Sequence, residues 1–74
     1  MKKYFIYHGK HTNIYRAATT ESADIATVVA LLSEGWVRAS RKEIRTLRKQ
    51  ENVVAGFSTA YIDASGALVI VNPD

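Results

Sequence analysis

Six bases fall within the twelve residues 38–49 of this 74-residue chain: Arg38, Arg41, Lys42, Arg45, Arg48 and Lys49. A single acid, Glu43, interrupts them, so the segment carries +5 while the rest of the chain, with four bases and six acids, carries −2. Positive charge concentrated in this way suits an anionic partner. Arginine predominates, and its planar fork donates paired hydrogen bonds to phosphate or carboxylate oxygens. At helical spacing Arg41, Arg45 and Arg48 share one face and Lys42 and Lys49 a neighbouring one. The plain alternative is a solvated face, but such faces usually interleave both signs of charge. The expected chemistry is therefore contact with nucleic acid through these six residues, or with an acidic protein surface.

Other chemistries find less support. The chain has no cysteine, which removes disulfides and every thiolate metal site. Its two histidines, His8 and His11, flank Gly9 and Lys10 with no acid nearby in sequence, so they read as turn residues rather than ligands. No glycine-rich phosphate loop or nucleophile elbow is present, nor a closely spaced acid pair outside the helix-cap region, and no catalytic residue, metal or cofactor is expected. The expectation is a non-enzymatic binding protein.

Composition sets the frame for the patch. Hydrophobic residues make up 47% of the chain and there is one proline, which argues for a single folded domain spanning residues 1–74 rather than disorder. No apolar run approaches the ~20 residues of a membrane span. After Met1, Lys2 and Lys3 only residues 4–7 form an apolar run, too short for the core of a signal peptide. A cytoplasmic protein without a membrane partner is the expectation.

Periodicity then divides the chain. Residues 2–8 place Phe5 and Tyr7 on one side and Tyr4 and Ile6 on the other, the pattern of a strand covered on both faces. Turn residues 9–12 and a weaker strand at 13–19 complete a hairpin. Residues 23–34 read as a helix, with candidate caps among residues 19–22 and a buried stripe of Ile25, Val28, Val29, Leu32 and then Trp36. The other side of this helix (Ala26, Thr27, Ala30, Leu31) is also nearly apolar, so a cover on both sides is expected. One cover could be a second copy of the chain. Gly35 stands where a helix closes on a left-handed residue.

Ser40 to Glu43 has the spacing of a capping box and opens a second helix at 41–50, whose thin apolar stripe is Ile44 and Leu47, continued by Val53 and Val54. Arg45 and Arg48 are expected off this stripe. The extended link 36–39 is too long for a helix-turn-helix, and Glu34 and Arg41 stand where that motif needs apolar packing. Strands at 57–62 and 67–71 join through Asp63-Ala64-Ser65-Gly66. The last strand is apolar throughout, hence expected to be central or part of a subunit interface. Tyr4, Phe5, Phe57 and Tyr61 read as core aromatics rather than base-stacking platforms. The expected fold is α+β, in the order β-β-α-α-β-β, with two helices packed on an antiparallel-rich sheet.

Overall fold

The computed structural model describes residues 1–11, 13–50, 52–53 and 56–72. Thr12 of the expected first turn and Val54 of the expected second-helix stripe lie outside the described residues. The elements are β1 (Lys2–His8), β2 (Tyr15–Glu21), α1 (Ile25–Ser33), β3 (Val37–Ala39), α2 (Arg41–Lys49), β4 (Ser58–Ile62) and β5 (Leu68–Val71). They form an α+β domain around one five-stranded mixed sheet in the order β3-β1-β2-β4-β5. The link between the helices is itself an edge strand, β3, so the order gains one element over the sequence reading.

β1 lies between β2 and β3, antiparallel to both. Its alternation places Phe5 with Ala18 and Ala60 under α1, against Val28, Leu31 and Trp36. Tyr4 and Ile6 point the other way, with Ala17, Ala39 and Ile44 of α2. The two helices therefore cover opposite faces. Alanines at 17, 18, 39 and 60 keep the sheet surface low, which lets each helix approach closely. β4 runs parallel to β2, and β5 returns antiparallel to β4 through a turn closed by Gly66 at φ 87°. The Asp63 carboxylate accepts hydrogen bonds from the Ser65 hydroxyl and from the Ser65 and Ala67 amides. Those bonds lower its pKa, the Ser65 hydroxyl most of all.

The caps differ from expectation at one end and match it at the other. Thr19 and Thr20 are buried strand residues, and Asp24 caps α1 instead, accepting from the Thr27 amide and, at 2.6 Å, from its hydroxyl. The Thr27 hydroxyl contact, then the amide, lower the Asp24 pKa. The cap therefore contributes stability that is present above the unfolded carboxylate value, near pH 4, and lost as pH falls through the folded one. At the other end Trp36 donates to the Leu31 carbonyl and Gly35 to that of Leu32, with Gly35 at φ 95°. This is a Schellman closure, and the buried Trp36 packs in the same cluster as Leu31.

These two ends decide which face of α1 is buried, and the result differs from the sequence stripe. Thr27, Val28 and Leu31 face the sheet, whereas Ile25, Val29 and Leu32 are 61%, 55% and 49% exposed. A helix apolar all round offers no contrast to orient it. Asp24 satisfies the Thr27 hydroxyl so that it can be buried, and the Gly35 turn draws Trp36 over Leu31. β5 is likewise neither central nor covered on both faces: it is an edge strand, with Leu68 and Ile70 packed against the α1-side core and Val71 exposed.

Leu31, fully buried, and Leu32, half exposed, separate the two assignments of α1 directly. Leu31→Ala should cost about 2–5 kcal/mol in urea unfolding, whereas Leu32→Ala should stay within about 0.5 kcal/mol. The reverse ranking would restore the sequence stripe.

Candidate nucleic-acid interface

α2 is a helix because its first turn is locked at both ends of one reciprocal contact. The Ser40 hydroxyl accepts from the Glu43 amide, and the Glu43 carboxylate accepts from the Ser40 amide. Such a cap is worth about 1 kcal/mol. It also occupies the positive end of the helix dipole with the Glu43 carboxylate, so an incoming anion must be met by side chains. Ile44 is the one fully buried residue of the helix and Leu47 is half-buried.

The six bases do not form one cluster. Arg38 sits on β3 opposite Phe5, its guanidinium carbon 6.0 Å from the centre of that ring, on the α1 side of the sheet. Arg48 is half-buried: it lies 4.4 Å over Phe57, donates from Nη2 to the Gly56 carbonyl, and has its Nε sealed from solvent without a hydrogen-bond partner. The sequence stripe placed Arg48 off the packed side, but at 100° per residue it lies only 40° from Ile44. Its aliphatic stem and flat head can cover apolar surface where a lysine ammonium would need water. Arg48 is therefore a packing residue.

Arg41, Lys42, Arg45 and Lys49 remain, all exposed. Arg45 is central among them: Arg41 and Lys49 stand four residues away on either side and Lys42 three, spacings that place neighbours about 5–6 Å apart at Cβ. Among the described residues none of the four is in an ion pair, and the one acid of the helix is held in the cap. Two like-charged pairs at four-residue spacing, Arg41/Arg45 and Arg45/Lys49, cost the isolated helix roughly 0.2–0.5 kcal/mol each. A face selected only for solubility would relieve that repulsion with an acid.

Beside the helix, Arg41 lies 5.9 Å from the Tyr4 ring centre, and Tyr4 in turn meets Phe57 at 5.5 Å. The sequence placed these aromatics in the core, and they are half-buried there. It also placed Tyr61 there, but Tyr61 is 43% exposed on the sheet face that carries α2. His8 stacks on Tyr15 with ring centres 4.5 Å apart, and His11 is exposed in the following turn. Among the described residues no three histidine, cysteine, aspartate or glutamate side chains gather where a metal could be held, and no helix is long and apolar enough to cross a membrane. In comparisons with known proteins the chain matches no family model, no curated protein and no solved structure.

The division of labour among the arginines is measurable. Arg48→Ala should destabilise the fold by about 1–2 kcal/mol through lost packing on Phe57 and the lost bond to Gly56. Arg45→Ala should leave the unfolding midpoint nearly unchanged. Equal effects would return Arg48 to the exposed patch.

Proposed function

We propose that this protein is a non-enzymatic nucleic-acid-binding module that grips phosphates through Arg41, Lys42, Arg45 and Lys49 of α2. The observation that carries this reading is the exposed cluster around Arg45, in which no described acid forms an ion pair and the bases are held together against their own repulsion. Arginine forks and lysine ammonium groups at adjacent helical positions can follow a run of phosphates on one strand. Base reading is a smaller part of the contact. The helix carries no asparagine or glutamine within 41–49, the amide side chains that pair with adenine. Arg48 packs against the fold, and Arg38, exposed on the α1 side of the sheet, stands outside the contact.

With three or four phosphates neutralised, log K should fall against log salt with a slope of about −2.7 to −3.6 on duplex DNA. The double reversal Arg45→Glu/Lys49→Glu should reduce that slope by about 2 and weaken binding alike across sequences. Lys3→Glu, on the other sheet face, serves as the control. Binding that survives the double reversal, or no binding at about 50 mM salt, would leave α2 a solvated face.

An acidic protein surface is the rival partner for the same cluster, and β5 gives that class its own foothold. It is an edge strand of four uncharged residues, Leu68–Val71, without the lysine or proline that commonly blunts an edge. Self-association fits beside either reading. α1 has no charged residue among its nine, so two copies of a chain with net charge +3 meet there with the least repulsion. Ile25, Val29 and Leu32 supply the apolar contact. Sedimentation should show a dimer at micromolar concentration that Leu32→Glu dissociates. A monomer at about 100 μM would exclude a stable interface.

A further inference from the structure

Among the described residues, α2 covers only part of the sheet face that holds it. Register places Tyr4, Thr19, Thr59 and Val71 in one row across β1, β2, β4 and β5, and Lys2, Glu21, Tyr61 and Val69 in the next. α2 lies over the β3-β1-β2 part, where Ile44 meets Ala17 and Ala39. On the β4-β5 part Thr59, Tyr61 and Val71 are exposed. The flanks of α2 are also unequal. Glu43 lines a crevice with Arg38 and Ala39 on the β3 side. Arg41 lies over Tyr4 and Arg48 over Phe57, the residue that leads into β4. Arg41, Arg45 and Arg48 lie within about 60° of one another on the helix, so this arginine flank borders the bare half of the sheet.

The result is a step: a floor of Thr59, Tyr61, Val69 and Val71, and a wall crowned by Arg41 and Arg45. Adjacent strands are about 4.8 Å apart, so the wall at β1 stands roughly 10 Å from β4. A flat apolar group over Tyr61 would therefore leave an attached anion on the arginine side. We infer that this step binds a nucleic-acid single strand, with bases stacked on Tyr61 and the neighbouring valines and phosphates on Arg41 and Arg45. The inference rests on the proposed role of α2 and deepens it. An acidic peptide would satisfy the wall and leave the floor unused, whereas a single strand carries both the π face and the anion. A duplex hides its base faces in the stack and can meet only the wall. Glu21 and Asp24 border the far end of Tyr61, and Glu21 is 3.7 Å from the N-terminal ammonium. The phosphates must then run along α2 rather than across the sheet. Base faces and phosphates are common to deoxy and ribo strands, which the step treats alike.

The test compares three probes at about 50 mM salt by fluorescence anisotropy: an oligothymidine of about 12 nucleotides, an abasic strand with the same number of phosphates, and a duplex of that length. Oligothymidine should bind the native protein more tightly than the abasic strand. Tyr61→Leu keeps the apolar area and removes the ring. It should weaken oligothymidine roughly 5- to 100-fold, leave the abasic strand and duplex unchanged, and be rescued by Tyr61→Phe. If Tyr61→Leu does not fold, the native protein's preference for oligothymidine over the abasic strand decides the matter alone. Equal binding of the two strands, or a Tyr61→Leu effect shared by all three probes, would overturn the stacking floor while leaving α2 as a phosphate site. Failure of every probe to bind would overturn both.

Discussion

A strand that is apolar on both faces cannot be left with either face in water. β1 imposes that constraint on the whole molecule: Phe5 and Tyr7 need a cover on one side, Tyr4 and Ile6 on the other. The described residues of this 74-residue chain include two helices with which to meet the demand, one on each face. Everything else follows from that allocation. β1 must be interior, so β2 and β3 flank it. The helices end up separated by the thickness of the sheet, and with them the charge-free surface of α1 and the basic surface of α2. Two surfaces of opposite character on opposite sides of so small a domain do not compete for the same partner.

The same allocation explains what is left bare. One nine-residue helix is about 13 Å long and cannot cover five strands. α1 serves the β1-β2-β4-β5 side, where Leu68 and Ile70 join its cluster. α2 serves the β3-β1-β2 side, so the β4-β5 strip beside it has no helix over it. β5 thus combines an unpaired edge with an exposed Val71. The bare β4-β5 strip lies on the same sheet face as the basic helix, so the proposed phosphate and stacking contacts share one side of the molecule.

Within α2 the residues that look alike in sequence act differently because the helix sits on a surface. Arg45 points into water, whereas Arg48, three residues on, turns toward Phe57. Bases in the last turn also favour the helix itself, through the carbonyl end of its dipole. Lys49 and Arg48 can therefore stabilise α2 whatever its partner, and Arg45, mid-helix and ringed by like charge, is the residue with the least structural reason to be basic.

Local chemistry was legible in the sequence wherever a few adjacent residues settle it. The two-sided pattern of β1, the Ser40–Glu43 box, the Gly35 closure and the Gly66 turn depend on contacts within a few positions, and the structure has them. The concentration of charge at 38–49 needed no fold to be seen. What required the tertiary structure were choices among surfaces of equal local merit. An all-apolar α1 has no polar side to point outward, so the Asp24–Thr27 contact and the Trp36 turn rotated Leu31 inward and left Leu32 outside. β3 became a strand only because β1 had an edge to offer. Arg48 turned to packing, Arg38 fell on the α1 face and Tyr61 left the core, because facing and exposure depend on which neighbours the sheet order supplies. Those neighbours lie far away in the chain, and spacing along it carries no record of them.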